Sequence, residues 1–287
     1  MIGKHVPQLS FLNTLLGDKP VFEPTRRVYQ RLLAGDDEEA TELLDEYFEH
    51  TPLVEVYDTV LIPALASAET HWRRGEIEDG RHQFILQTLK AMIQERGERQ
   101  QEPHRKESGE DMTEAEADSG LADRGGPPGL RVLCLPAHGE GDELAGMMLA
   151  QVVDIRGCVV ETVPAAATAA ASELVAYVEQ RDVDVVCISA APPAAVAHAR
   201  RLRLRLRLRL RLRLRRRFPG LKLLVGLWNA PGDLNEAKAR IGLDAGTHVV
   251  TTLSDAREWI RLLLEPPPGQ QVPPAGEELL KTGRAGD

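Results

Sequence analysis

Apolar positions recur with a helical period from about residue 24 onward. Val28, Leu32 and Leu33 fall on one face of a first helix that stops at Gly35. Asp36 or Asp37 then caps a second helix, with Ala40, Leu43, Leu44, Tyr47 and Phe48 turned inward. Thr51 and Pro52 start a third, because proline at the first helical position gives up a donor that has no partner there. This helix runs to about Arg74, and Pro63 predicts a bend in it, since the ring meets the carbonyl one turn back. Ile77 to about Arg96 read as a fourth helix built on Phe84, Ile85, Leu89 and Ile93. Short connections between these helices predict an antiparallel bundle over residues 23–96, behind a polar-interrupted segment at residues 1–22.

The pattern then breaks twice. Residues 97–130 are dominated by Glu, Arg, Gln, Ser, Asp and Gly, with almost nothing to bury, and read as a disordered linker. Beyond it, short apolar runs alternate with helical segments: Arg131–Leu135, Cys158–Val163, Val183–Ala190, Leu221–Leu227 and His248–Leu253. Such alternation predicts an α/β domain over residues 131–264, a doubly wound five-stranded parallel sheet with flavodoxin-like order 2-1-3-4-5. Its ligand crevice is expected at the carboxyl ends of the strands, near the β1/β3 switch point. Residues 265–287, rich in Pro, Gly and charge, read as a disordered tail.

Composition changes this picture in three places. No apolar stretch reaches the roughly 20 residues that span a bilayer, and Pro7, Gln8 and Ser10 interrupt any signal peptide, so a cytoplasmic protein is expected. Cys134, Cys158 and Cys187 sit in or beside β-branched runs, without metal-ligand spacing, and read as buried hydrophobes. The net charge is −9 although Arg200 to Arg217 include eleven arginines, so the rest of the chain is strongly acidic. Arginine and leucine alternate strictly from Arg201 to Arg215, which is strand periodicity, but the tract stands where the third crossover helix belongs and is assigned helix. Nucleic acid or anionic lipid would suit its charge. Without aromatic residues to stack on bases, expansion of a short coding repeat is the simpler account.

Together the two domains resemble the cobalamin-binding module of methionine synthases and of light-sensing cobalamin-dependent repressors, a helical cap ahead of a Rossmann-like domain. The segment Trp72, Gly75, Glu76, Ile77 is similar to that family's Trp-x-x-Gly, whose indole covers the upper face of the corrin. Where a Glu-His pair follows in the family, this chain has His82 and Gln83. The window Glu140-Gly141-Asp142-Glu143-Leu144-Ala145 matches the loop that carries the cobalt-ligating Asp-x-His-x-x-Gly, with Asp142 at the position of the axial histidine. A carboxylate is a harder and weaker partner for that metal than imidazole. His138, earlier in the same loop, is the alternative metal ligand. The resemblance further implies ligand contacts from Ser189, Gly226, Thr251 and Thr252, and a cleft narrowed by Leu227 and Trp228, which would fill the groove of a nucleotide-like tail.

A second resemblance concerns the opening, Gly3 to Leu9 with Leu16-Gly17-Asp18, then Tyr29 to Asp36, together with Leu135-Pro136-Ala137 and Asp142 to Gly146. These stretches are similar to the cytoplasmic C-terminal extension of some bacterial permeases of the autoinducer-2 exporter family, and imply a regulatory module beside a permease at the inner face of the membrane. Three functions therefore stay open: a non-enzymatic corrinoid sensor, a degenerate domain acting by protein contact, and a receiver-like domain using Glu140, Asp142 and Glu143 for a metal or a phosphoryl group. No Ser-His-Asp spacing, zinc motif or phosphate-binding glycine loop supports a hydrolase or a nucleotide-dependent enzyme.

Overall fold

The computed structural model describes residues 24–108, 129–168, 177, 178, 181, 183–204, 220–230, 232–242 and 247–264. The N-terminal half is a helical cap. Helix α1 (Pro24–Ala34) leads to α2 (Asp37–His50), whose first turn is capped by the Asp36 carboxylate accepting from the Glu39 amide at 3.1 Å. Pro52 stands as the N-cap, so the helix starts at Leu53, one residue later than the pattern predicts. From it run α3 (Leu53–Val56), a π-helical turn (Tyr57–Leu61) and α4 (Ile62–Arg73) as one rod. The irregular turn explains how Pro63 is housed. Proline has no N–H for the carbonyl of Thr59, and that carbonyl instead accepts the Thr25 hydroxyl from α1.

Helix α5 begins at Asp79 and continues to Ser108, past Arg96, where the composition predicts the linker to start. The physical reason is that Glu98, Arg99, Gln100 and Gln101 are good helix formers, and Arg99 is held by Asp45 at 3.1 Å and by Glu95 at 2.6 Å. The remaining linker residues, the segment 1–22 and the tail 265–287 lie outside the described residues.

The second half is the expected α/β layer structure. Strands β1 (Leu130–Pro136), β2 (Cys158–Thr162), β3 (Val185–Ala190), β4 (Lys222–Leu227) and β5 (Thr247–Val250) form one parallel sheet in the order β2-β1-β3-β4-β5. Helix α6 (Glu140–Val152) follows β1, α7 (residues 195–204) follows β3, α8 (Leu234–Ile241) follows β4 and α9 (Leu253–Leu264) follows β5. Leu253 therefore opens a helix and does not close the last strand.

Register pairs Leu133 with Val186 and Cys134 with Cys187, so alternate residues reach opposite faces. Leu133, Leu135, Val186, Ile188 and Val225 share one core with the buried side of α7 and α8. Val132, Cys134, Val185, Cys187 and Leu224 belong to the other, which also contains Leu32, Leu61, Leu65, Ile85, Leu89 and Ile93 of the cap. The cap and one sheet face thus share a single hydrophobic core, where the sequence pattern suggests two separately packed domains. At the start of the arginine–leucine tract, Leu202 and Arg203 are both buried, and Arg203 Nη1 donates to the Ile241 carbonyl at 2.7 Å, closing the end of α8. Leu204 is exposed, and the rest of the tract lies outside the described residues.

Candidate functional site

The seam between the cap and the carboxyl ends of the strands gathers most of the polar buried groups. On the sheet side, Asp142 lies on the first turn of α6, not in the loop before it. Its carboxylate accepts from the amides of His138 at 2.8 Å and Gly139 at 3.4 Å, and across the switch point from Ala191 at 2.7 Å. One side chain therefore ties the loop after β1 to the loop after β3. Burial pushes its pKa up to about 7, against the three N–H groups that favour the anion and with the help of the nearby Glu69 charge.

The network continues inward. Ser189 Oγ donates to the Asp142 carbonyl at 2.6 Å and accepts from Trp228 Nε1 at 2.7 Å. Ser189 and Trp228 have no exposed surface. The indole rests on Gly226, where a Cβ would stand 2.1 Å from one of its ring carbons, so only glycine permits this seat.

On the cap side, Trp72 stacks on His82 with ring centroids 4.2 Å apart and planes within 4°, and its Nε1 donates to Asp79 at 2.8 Å. His82 Nε2 lies 3.1 Å from Glu69 Oε1. Glu69 in turn abuts Gly141 on α6, where a Cβ would come within 2.9 Å of the carboxylate oxygen. Three further ties fasten the halves. Lys90 reaches Glu143 at 3.2 Å, and Glu143 also accepts from the Ala165 amide at 2.8 Å. Gln151 of α6 accepts from the Tyr57 hydroxyl and donates to the Ile93 carbonyl at 2.7 Å. Asp58, on the π-helical turn, caps α9 by accepting from Leu253 at 2.7 Å and Ser254 at 3.0 Å.

His138 has its ring 4.3 Å from that of His198 on α7. Burial lowers the His198 pKa to about 4, with the charges of His138, Arg73 and Arg201 acting in the same direction. Glu140 is half-buried on the first turn of α6. The carbonyl of Thr251 accepts from Asn229, and Thr252 Oγ1 accepts from Asp255 at 3.0 Å in the first turn of α9. The structure thus joins Asp142, Ser189 and Gly226 in one network through Trp228, pairs Trp72 with His82, and leaves Thr251 and Thr252 serving backbone turns. Glu69, His198, Asp58 and Gln151 were not singled out by the sequence. Glu69 lies one helical turn before Trp72, a spacing that could have revealed it. The others meet their partners only through the fold. Among the described residues no group of three or more His, Cys, Asp or Glu is arranged to hold a metal ion.

The geometry of the cap has a counterpart among known families. Residues 25–94 match the model of the B12 binding domain. The described helices of the cap account for that match. No curated protein is significantly similar to the chain. Among solved structures, the monomethylamine corrinoid protein of Methanosarcina barkeri is 13% identical, covering 84% of this chain and 98% of its own, with a TM-score of 0.52. At that identity the likeness is one of fold, and it extends the correspondence from the cap to the Rossmann-like sheet. A cobalamin-binding protein from Desulfitobacterium hafniense (14% identity, 85% and 99% coverage, TM-score 0.35) superposes more loosely. So does the methanol:cobalamin methyltransferase complex of Methanosarcina barkeri (12%, 85% and 81%, TM-score 0.34).

Proposed function

We propose that this chain is a non-enzymatic regulatory module on a corrinoid-binding scaffold, which works by changing how the cap seats on the sheet. The observation that carries the reading is the direct contact of the cap with α6, Glu69 against Gly141, in a chain whose cap matches the B12 binding domain. A flat ligand at this seam has to part Glu69 from the first turn of α6. Binding would therefore select a state with the cap lifted, and that difference is what a partner could read. The same core that joins the halves makes the lifted state costly, because Leu65 and Ile85 are packed in it without exposed surface.

The residues at the sheet end do not fit cobalamin. The position that the resemblance gives to an axial histidine is Asp142, whose carboxylate already holds three backbone N–H groups. The groove beneath is filled by Trp228. These two observations favour a second reading, a module that has given up the ligand and regulates by contact alone. His138 is the remaining candidate for a metal, and it faces His198. For a partner we propose a permease of the autoinducer-2 exporter family, on the likeness of Gly3 to Asp18 and Tyr29 to Asp36. No helix among the described residues is long and apolar enough to cross a membrane.

The test is direct. The protein is incubated with hydroxocobalamin, desalted and examined by visible absorption, with Trp72→Ala alongside. Stoichiometric corrin absorbance that falls in the Trp72 variant supports the ligand-responsive module. A colourless wild-type protein removes it and leaves regulation by contact.

A further inference from the structure

Open parallel sheets take ligands in the crevice beyond the carboxyl ends of their strands, where the winding reverses. Here the winding reverses between β1 and β3, and the sheet end beside that point, over β3 and β4, is filled by a side chain. Trp228, just after β4, has no exposed surface, and its indole crosses Gly226 to reach Ser189 on β3. Ser189 pairs in register with Pro136 of β1 and Gly226 of β4, so the indole lies over the middle of the sheet. The backbone fixes this placement from both sides. Trp228 N donates to the Ala190 carbonyl at 3.0 Å, and Asn229 N to the Thr251 carbonyl at 3.0 Å. The single polar atom of the ring is satisfied by a hydroxyl whose own proton is committed to the Asp142 carbonyl.

A planar heteroaromatic ring, buried edge to edge with its N–H on a serine, is what a bound ligand looks like. We infer that Trp228 is a specificity-determining residue: its indole occupies the sheet end over β3 and β4, beside the switch point, as an internal ligand, so this chain excludes any heterocyclic group there. The inference deepens the corrinoid-type reading and rests on it for the consequence that a corrinoid is held without its heterocyclic tail entering the sheet. The occupation of the sheet end stands on the indole's own contacts and can be tested without a corrinoid.

Two arms separate these. In the first, thermal unfolding of wild type, Trp228→Ala and the milder Trp228→Leu is followed with and without millimolar benzimidazole. The expected result is a shift for Trp228→Ala, none for wild type, and an affinity about tenfold weaker when Ser189→Ala is added, because the polar handle is gone. If Trp228→Ala does not fold, Trp228→Leu with the smaller probe imidazole gives the same comparison. A folded variant that ignores the probe, or binding indifferent to Ser189, overturns the inference.

In the second arm, aquacobalamin and tail-less cobinamide are titrated into wild type and Trp228→Ala. The expected wild-type affinities agree within about twofold, and Trp228→Ala prefers cobalamin by tenfold or more. A wild-type protein that itself prefers cobalamin tenfold overturns the inference. Failure of both proteins to take either corrinoid overturns the corrinoid-type reading, while the benzimidazole arm by itself upholds or overturns the occupation of the sheet end by Trp228.

Discussion

The two sides of the seam hold comparable residues in opposite conditions. Each has a tryptophan whose ring N–H is bonded and a carboxylate close by. Trp228 is wholly buried, and its partner Ser189 belongs to a chain that runs to Asp142. Trp72 is half-buried, bonded to the exposed-side Asp79, and stacked on a histidine. The difference teaches where change is tolerated: the sheet end is packed and hydrogen-bonded from Trp228 through Ser189 to Asp142, whereas the cap face keeps polar and aromatic surface.

Substitution of the two tryptophans should break the symmetry most strongly. Trp228→Ala is expected to lower the urea-denaturation free energy by about 3–5 kcal/mol, since it leaves a cavity and takes away the N–H that the Ser189 oxygen accepts. Asp142 and His198 sharpen the comparison through pH. The folded-state pKa of Asp142, about 7, lies above its ordinary 3.8, so the fold holds that proton tightly and loses stability as pH rises between those values. His198, lowered from 6.5 to about 4, resists its proton in the fold and withdraws stability as pH falls through that range. The two slopes oppose each other between pH about 4 and 6.5. Urea midpoints for His198→Gln should therefore fall with rising pH, and those for Asp142→Asn should rise. Parallel slopes in the two variants would contradict this assignment.

Smaller effects are expected at the cap. Asp58→Ala removes the cap of α9 and should cost about 1 kcal/mol, with hydrogen exchange accelerating at Leu253 and Ser254. Trp72→Ala should cost about 0.5–1.5 kcal/mol by the same denaturation measurement, because a partly exposed stack and one hydrogen bond to the exposed Asp79 are lost. Lys90→Met should change stability by less than about 1 kcal/mol, as the pair with Glu143 is partly exposed. A Trp72 loss as large as that of Trp228 would erase the contrast between the two sides.

Local pattern made much of this protein legible. The helical period around Val28, Leu32 and Leu44 and the alternation of apolar runs with helices specify the cap, the strands and their order, because each follows from burying one face of an element. Asp142, Ser189, Gly226 and Trp228 were picked out by the resemblance of their loops to the cobalamin-binding family's motifs. What they do there was decided by tertiary structure. Asp142 reads as a ligand position and is a tie between two loops; the helix expected to stop near Arg96 continues because good helix formers and the Arg99 pairs support it. Ser189 meets Asp142 across 47 residues, Trp228 meets Ser189 across 39, and Asp58 caps a helix 195 residues away. No window of sequence contains both partners of such a bond. Their meeting depends on how the cap and the sheet fuse into one core, and that is set by the shapes of whole surfaces packed together, which periodicity along the chain does not encode.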